Sequence, residues 1–235
     1  MNVLITGVSS GLGKALKDEY LNSGYQVYGI SRREVKDCNH IKLDLNYISN
    51  INQKISNLLE GVKELDVVIL NAGMLGEIKT FDKWEYNELL EIMNVNVWSN
   101  KYILDWLFDN NIKVRQVITI SSGASEHTYK GWGGYSITKS ALRMMTELYS
   151  KEIDGTHFMS LAPGLVDTSM QDYLCNEVNV DEFPLIKKFI DSRETGDTKS
   201  SRDVAKNIVK LIPALVEFEN GSFIDLRNNY TKVVK

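Results

Sequence analysis

Tyr135 and Lys139 are two side chains whose types and spacing suggest proton-transfer chemistry. They lie four residues apart, and residues 140–151 that follow carry apolar side chains at helical spacing, so the pair should share one helix face. A cation within about 4–6 Å of a phenol favours the phenolate and lowers the pKa of the phenol from its usual value of about 10. The spacing therefore predicts a tyrosine that exchanges a proton near neutral pH. An amphipathic helix with a tyrosine and a lysine at chance spacing is the alternative interpretation.

A glycine-rich turn follows the first predicted strand, residues 2–6, and precedes a predicted helix, residues 12–23. Its glycines permit positive φ and close backbone approach, and the helix offers free N–H groups to a pyrophosphate. The spacing GxxxGxG differs from the more common GxGxxG. A plain strand–turn–helix glycine cluster is the alternative. We predict that this turn binds a dinucleotide through Gly7, Ser9, Ser10, Gly11, Leu12 and Gly13.

Two arginines, Arg32 and Arg33, follow the second predicted strand, residues 26–30. An acidic residue at this place suits the ribose of NAD, whereas arginine accommodates the 2′-phosphate of NADP. We therefore predict NADP(H) as the cofactor and keep NAD(H) as the less favoured alternative; the arginines could also form a solvated basic turn. Asp44 and Leu45 end the third predicted strand beside the adenine, although Asp44 could equally cap the next turn.

Polar residues also follow the fourth and fifth predicted strands, residues 65–70 and 114–120. Asn71, Ala72 and Gly73 close the fourth strand, where small residues let the backbone approach a ribose; Asn71 could instead tie strands together. Ser122 lies thirteen residues before Tyr135, and its hydroxyl could donate to a substrate carbonyl. Ser121 is the competing residue, but strand alternation points it to the other side.

Asn96 falls in phase with apolar residues of a long helical pattern, residues 84–108. An asparagine on such a face is expected to be buried and must find hydrogen-bond partners. It could bond to its own helix, or it could hold a water molecule for a proton path.

Short apolar strands alternate with amphipathic helices along the 235 residues. This alternation predicts a doubly wound α/β fold, with a parallel sheet, helices on both faces and a single domain over residues 1–235. Every motif follows a predicted strand, which places the site beyond the carboxyl ends of the strands. Residues 171–200 show no regular pattern, so we expect an irregular segment that acts as a lid; an exposed surface segment is the alternative.

The composition excludes several classes of partner. A net charge of −4 argues against nucleic acid, and the apolar runs are far shorter than the ~18 residues of a membrane span. Cys38 and Cys175 are expected to be reduced in a cytoplasmic protein. The apolar run of residues 3–5 begins directly after residue 2 and leaves no room for a charged region before it, so no signal peptide is expected. We assign no metal-binding residues.

Together these motifs resemble the short-chain dehydrogenase/reductase family in its single-domain branch. The resemblance covers residues 2–168, and more loosely the chain to residue 226, in the strings TGVSSGLG (6–13), NAG (71–73), YSITK (135–139) and PGLVDT (163–168). It implies an NADP(H)-dependent Rossmann-type oxidoreductase that acts on C=O and CH–OH groups. It implies a tetrad in which Tyr135 is the general acid, Ser122 orients the carbonyl, Lys139 binds the ribose and lowers the tyrosine pKa, and Asn96 holds a relay water. The nicotinamide side would be lined by Pro163, Gly164, Val166 and Thr168.

A narrower resemblance to sepiapterin reductases and bacterial benzil reductases rests on Gly131-Trp132 and residues 163–171 and 218–225. It implies a ketone or diketone as substrate, with Ser122, Trp132 and Asp225 as substrate contacts. Asp225 matches an aspartate that anchors pterin in sepiapterin reductase, although it could be a surface or dimer-contact residue. An NAD-dependent alcohol dehydrogenase and a non-catalytic NADP-sensing protein are the alternative functions. Relatives pair through apolar helices, so a homodimer or homotetramer is expected.

Overall fold

The computed structural model describes residues 1–227, which are built around a parallel sheet of seven strands. In chain order the strands of the protein are β1 (Asn2–Thr6), β2 (Gln26–Ser31), β3 (Asn39–Lys42), β4 (Glu64–Leu70), β5 (Lys113–Ile120), β6 (His157–Ala162), β7 (Val166–Asp167), β8 (Lys199–Ser200) and β9 (Phe223–Asp225). The sheet has the order β3-β2-β1-β4-β5-β6-β9, and β7 pairs with β8 separately. Strand order reverses between β1 and β4, which opens a crevice at their carboxyl ends.

Eight α-helices of residues 1–227 connect or flank these strands. They are α1 (Gly11–Asn22), α2 (Ile51–Leu58), α3 (Tyr86–Met93), α4 (Ser99–Asp109), α5 (Gly133–Glu152), α6 (Ser169–Asn176), α7 (Leu185–Glu194) and α8 (Ser201–Leu211). Short 3-10 turns span Ile48–Asn50, Phe81–Lys83, Gly123–Ser125 and Ile212–Glu217. None of these helices combines the length and the apolar character that crossing a bilayer requires.

Apolar side chains cover both faces of the sheet, as continuous β-branched strands require. One core contains Leu16 of α1 and Ile208 of α8 with strand residues such as Ile5. The opposite core contains Ile55 of α2 and Leu104 of α4. The predicted fold class, a single doubly wound domain with helices on both faces, is therefore confirmed for the described residues; residues 228–235 of the predicted domain lie outside them.

The irregular structure predicted for residues 171–200 is wrong. Helices α6 and α7 occupy most of this segment, and a third core beneath them contains Leu174, Phe183 and Ile186. The apolar residues Ile186, Phe189 and Ile190 do have helical spacing, but charged residues between them obscure it. Pro184 stands directly before the first residue of α7, at a helix start that tolerates proline.

The long helix predicted over residues 84–108 is interrupted. Between α3 and α4 the chain forms a π-helical turn, Asn94–Trp98, which contains the buried Asn96. Single π-turns of this kind occur frequently at functional sites. The apolar periodicity continues through the turn, so sequence spacing alone does not reveal it.

Candidate active site

One cavity of about 900 Å³ lies at the carboxyl ends of the strands. It is lined by every residue predicted to bind the cofactor, and by Ser122 and Trp132. Asn96 and Asp225 are the two predicted site residues that do not line it. Among the lining residues outside the prediction are Ser121, Tyr129, Phe189, Lys188 and Arg227.

The glycine turn between β1 and α1 has no room for a side chain at two of its glycines. Gly7 has a φ of 81°, and a Cβ there would lie 2.8 Å from Asn71 Nδ2. A Cβ on Gly13 would overlap the carbonyl oxygen of Gly7. The first turn of α1 has no acidic residue, and Ser10 makes no side-chain cap. The free N–H groups and the positive end of this helix therefore face the cavity, which suits a phosphate group.

The basic turn after β2 is held by local hydrogen bonds. Ser31 Oγ donates to the carbonyl of Arg33 over 2.7 Å and lies 2.8 Å from His40 Nε2. Arg32 and Arg33 are exposed at the cavity edge, and within residues 1–227 neither guanidinium forms an ion pair. Two guanidiniums without a carboxylate partner are suited to a phosphate dianion. Asp44 lines the same end of the cavity and also accepts a hydrogen bond from the Asn46 N–H at 3.0 Å.

Asn71 ties β4 to β1. Its side-chain Nδ2 donates to the Thr6 carbonyl over 2.9 Å, and Thr6 Oγ1 accepts from the backbone N–H groups of Asn71 and Ala72 at 3.0 and 2.9 Å. Gly73 follows, and a Cβ at this position would approach Asn96 Oδ1 to 3.3 Å. The small residues Ala72 and Gly73 thus leave the backbone close to the cavity.

Tyr135 and Lys139 lie on α5 as their spacing predicts, and both are buried. Lys139 Nζ donates to the carbonyl of Ile120 over 2.7 Å, at the end of β5. The same ammonium lies 5.6 Å from the centroid of the Tyr135 ring. The two groups are therefore neighbours, but the ammonium is held by the strand end.

The predicted direction of the Tyr135 pKa is wrong. Burial raises the pKa of Tyr135 to about 12, although a hydrogen-bonding interaction with Ser122 acts in the opposite direction. Burial likewise lowers the pKa of Lys139 to about 8. The cost of desolvation dominates because low-dielectric surroundings disfavour each charged form. At neutral pH the phenol consequently keeps its proton.

Ser122 and Ser121 both line the cavity. Strand alternation does not separate them because β5 ends at Ile120, before either serine. Ser122 Oγ accepts a hydrogen bond from the Ala124 N–H at 3.2 Å, which orients the hydroxyl. Ser121 Oγ is buried and makes no hydrogen bond to any residue in the described part of the chain.

Asn96 is fully buried and connects two parts of the site. Its Oδ1 accepts from the Met74 N–H at 2.8 Å, and its Nδ2 donates to the Met74 carbonyl and to Thr138 Oγ1, each over 2.9 Å. The side chain therefore fastens the chain after Gly73 to helix α5. This arrangement satisfies both amide hydrogens, as burial requires.

An aromatic wall stands over Tyr135. Trp132 stacks on Phe189 of α7 with ring centroids 5.5 Å apart and an interplanar angle of 17°. Its indole also meets the Tyr135 ring edge-to-face at 5.9 Å. The role of Phe189 was not predicted, although its spacing from Ile186 in the sequence indicates one helix face.

Asp225 is buried beside the cavity and paired with Arg227. Burial opposes ionisation of Asp225, but hydrogen bonds from Arg227 outweigh it, so the pKa of the carboxyl is lowered. Arg227 lines the cavity itself. The sequence analysis does not identify Arg227, and no local motif marks it as a site residue.

Comparisons with known proteins agree with this geometry. A family model described as short chain dehydrogenase matches residues 1–179. A benzil reductase ((S)-benzoin forming) of Bacillus cereus is 31% identical over 249 residues, which cover 94% of this chain and 97% of that protein.

A sepiapterin reductase of Bos taurus is 30% identical over 172 residues, covering 71% of this chain and 63% of that protein. The solved structure of a short chain dehydrogenases/reductase from Saccharomyces cerevisiae has a TM-score of 0.83 and 24% identity, and covers 95% of each chain. That structural similarity concerns the fold alone.

Proposed function

Because the chain belongs to the short chain dehydrogenase family and is an oxidoreductase, we propose that it reduces ketones or diketones with NADPH as hydride donor. The observation that carries the proposal is the buried Tyr135 hydroxyl beside Ser122, in the cavity that also contains the glycine turn. A phenol whose pKa is raised to about 12 is protonated at neutral pH. Tyr135 therefore has a proton available, which the carbonyl oxygen needs as the hydride arrives.

When bound, the nicotinamide supplies the hydride that attacks the carbonyl carbon. Tyr135 gives its proton to the carbonyl oxygen as negative charge develops there. Ser122 donates a hydrogen bond to the same oxygen, which stabilises the transition state electrostatically. Lys139, about nine-tenths protonated at pH 7 from its pKa of about 8, keeps a positive charge near the phenol and is placed to bind the ribose. The water-holding role of Asn96 stays a prediction.

The preference for NADPH rests on the basic turn after β2. The family binds NAD(P)(H), so the choice between the two depends on the residues that meet the ribose. Arg32 and Arg33 offer two cations where NAD-specific sites place a carboxylate. This feature disfavours the alternative of an NAD-dependent alcohol dehydrogenase.

The aromatic wall favours an aromatic or otherwise apolar carbonyl compound, such as a benzil-like or sepiapterin-like substrate. Trp132 and Phe189 offer stacked rings beside Tyr135. We propose that residues 171–200, with helices α6 and α7, form the lid of this pocket. The Ile78 N–H donates to Tyr173 Oη over 3.2 Å, and this contact joins the lid to the opposite loop.

We also propose a homodimer or homotetramer in the cytoplasm. Four large apolar side chains on or next to α4 and α5, Trp98, Tyr102, Met144 and Leu148, are between 40% and 56% exposed. Covering them in an assembly would remove apolar surface from water. Sedimentation of the full chain tests the assembly, and a monomer at micromolar concentration would contradict it.

The function is tested by following NADPH consumption with benzil, sepiapterin, a 3-oxoacyl thioester and a simple aldehyde, each repeated with NADH. We expect turnover with NADPH on a ketone or diketone, and little with NADH. Tyr135→Phe is the matched control because it keeps the aromatic packing and removes the proton. NADPH binding without turnover on any compound would favour the non-catalytic sensing protein instead.

A further inference from the structure

We infer that Arg227 determines substrate specificity by binding a second substrate oxygen next to the reacting carbonyl. The inference rests on the proposed function and concerns the pair that Arg227 forms with Asp225. The substrate class it selects is the neutral 1,2-diketone, in which two carbonyl oxygens stand on adjacent carbons.

The guanidinium of Arg227 is held rigidly by one edge. Its Nε donates to Asp225 Oδ1 and Oδ2 over 3.0 and 3.2 Å, and its Nη2 donates to Oδ2 over 2.5 Å. The backbone N–H of Arg227 adds a fourth hydrogen bond to Oδ1 at 2.9 Å. Asp225 is itself only 5% exposed, so the anchor is fixed in the protein interior. Both carboxylate oxygens are occupied, which leaves Asp225 poorly placed to bind a substrate directly.

The opposite edge of the guanidinium remains available. Arginine has five N–H donors in a planar fork, and the contacts with Asp225 use the Nε–Nη2 side. No residue among 1–227 accepts a hydrogen bond from Nη1. The Arg227 side chain is 41% exposed and lines the cavity, so this edge can meet a ligand.

The side chain of Arg227 lies next to Gly123, the residue that follows the proposed catalytic Ser122. A Cβ on Gly123 would come within 2.6 Å of Arg227 Nη2, and a Cβ on Gly164 would come within 3.1 Å of its Cγ. Arg227 therefore runs between the turns that follow β5 and β6. Gly123 directly follows Ser122, so the guanidinium lies near the turn that carries the group proposed to hold the reacting oxygen.

The opposite charges of Asp225 and Arg227 determine which kind of substrate oxygen the pair can bind. Asp225 neutralises much of the Arg227 charge, so the pair offers directed donors with little net charge. That combination suits a neutral carbonyl oxygen better than a carboxylate, which would also meet Asp225. The Trp132–Phe189 stack supplies an apolar surface in the same cavity for an aromatic substituent. An aryl 1,2-diketone can place an oxygen against Arg227 and an aromatic ring against the Trp132–Phe189 stack at the same time.

The test compares benzil with deoxybenzoin, which has the same two rings but lacks the second carbonyl, and with phenylglyoxylate, which carries a carboxylate there. We expect the wild-type protein to prefer benzil in kcat/KM. In Arg227→Leu the benzil-to-deoxybenzoin ratio should fall about 10- to 100-fold, the range of a hydrogen bond from a charged donor. The NADPH Kd should stay unchanged, and Arg202→Leu on exposed α8 should change neither value.

A second variant keeps the test valid if Arg227→Leu fails to fold. Arg227→Leu leaves the buried Asp225 without its partner, which can destabilise the fold. The double variant Asp225→Asn/Arg227→Gln replaces the ion pair by two neutral amides, and it should show the same loss of preference for benzil. An unchanged ratio in both variants, or a wild-type preference for phenylglyoxylate, would overturn the assignment of Arg227. A wild-type protein that reduces sepiapterin or the 3-oxoacyl thioester but none of these three ketones would also overturn it, whereas turnover on no carbonyl compound would overturn the proposed function.

Discussion

Replacing Lys139 with methionine should stabilise the folded protein while it removes the reductase activity. Burial lowers the pKa of the Lys139 ammonium from 10.5 to about 8. A pKa difference of roughly 2.5 corresponds to about 3 kcal/mol of folding free energy. Methionine is unbranched and of similar length, so it can occupy the same space without the cost of burying a charge.

The sign of the effect depends on pH. Below about pH 8 the lysine is protonated in both the folded and the unfolded protein, so folding bears the whole cost. Above pH 10.5 the amine is neutral in both states and the cost vanishes. Methionine also loses the 2.7 Å hydrogen bond from the ammonium to the Ile120 carbonyl, and losing a hydrogen bond from a charged donor removes about 2 kcal/mol of stability. The desolvation effect is larger, so we expect a net gain of about 1 kcal/mol at pH 7.

Urea unfolding of the wild-type and Lys139→Met proteins between about pH 7 and 10.5 measures this difference. The advantage of the variant should shrink as the pH rises above 8 and reverse before about 10.5, because the hydrogen bond stays lost after the desolvation cost has vanished. Lys206→Met on α8 is the matched control because Lys206 is exposed, and it should change stability by less than about 0.5 kcal/mol. A variant no more stable than the wild type at pH 7, or an advantage independent of pH, would refute the reasoning.

Three further substitutions test the proposed roles. Tyr135→Phe should lower kcat by about 10²- to 10⁴-fold with little change in the NADPH Kd, and a loss below about tenfold in single-turnover reduction would contradict its role as acid. Arg32→Ala should weaken the binding of NADPH about tenfold or more, as measured by calorimetry, and should hardly change the binding of NADH. Arg115→Ala, at an exposed position near the start of β5, should alter neither affinity. Gly13→Ala should abolish NADPH binding and lower the Tm, because its Cβ would overlap the Gly7 carbonyl; normal binding would show that the turn can relax.

The fold could be predicted because its signals are local. Each buried strand is a short β-branched run, and helices α1 and α8 have clear apolar stripes, so the βα alternation is visible in the sequence. The helical structure of residues 171–200 is not predicted, for a different reason. Helices α6 and α7 carry many charges, and their apolar residues pack on Trp132 and Leu75 rather than on the sheet. Tertiary contacts of that kind decide the structure of a weakly amphipathic segment.

The cavity lining was predictable where motifs follow strands, since strand ends meet at one edge of a parallel sheet. Arg227 has no such motif. Its place near Ser122 depends on two strand pairings, of β5 with β6 and of β6 with β9. These pairings bring Ser122 and Arg227 to the same edge of the sheet, although more than a hundred positions separate them in the chain. No local pattern in the sequence contains that information.

The spacing of Tyr135 and Lys139 predicts that the two groups lie close together, but it does not predict their protonation states. A spacing of four residues on a helix determines that the two groups are neighbours, and they are. The pKa of each group depends instead on how much water the rest of the protein excludes. Trp132 contacts the Tyr135 ring and stacks on Phe189 of α7, so burial raises the pKa of the phenol and the phenol stays neutral. The protonated state of Tyr135 at neutral pH therefore arises from packing by distant segments of the chain.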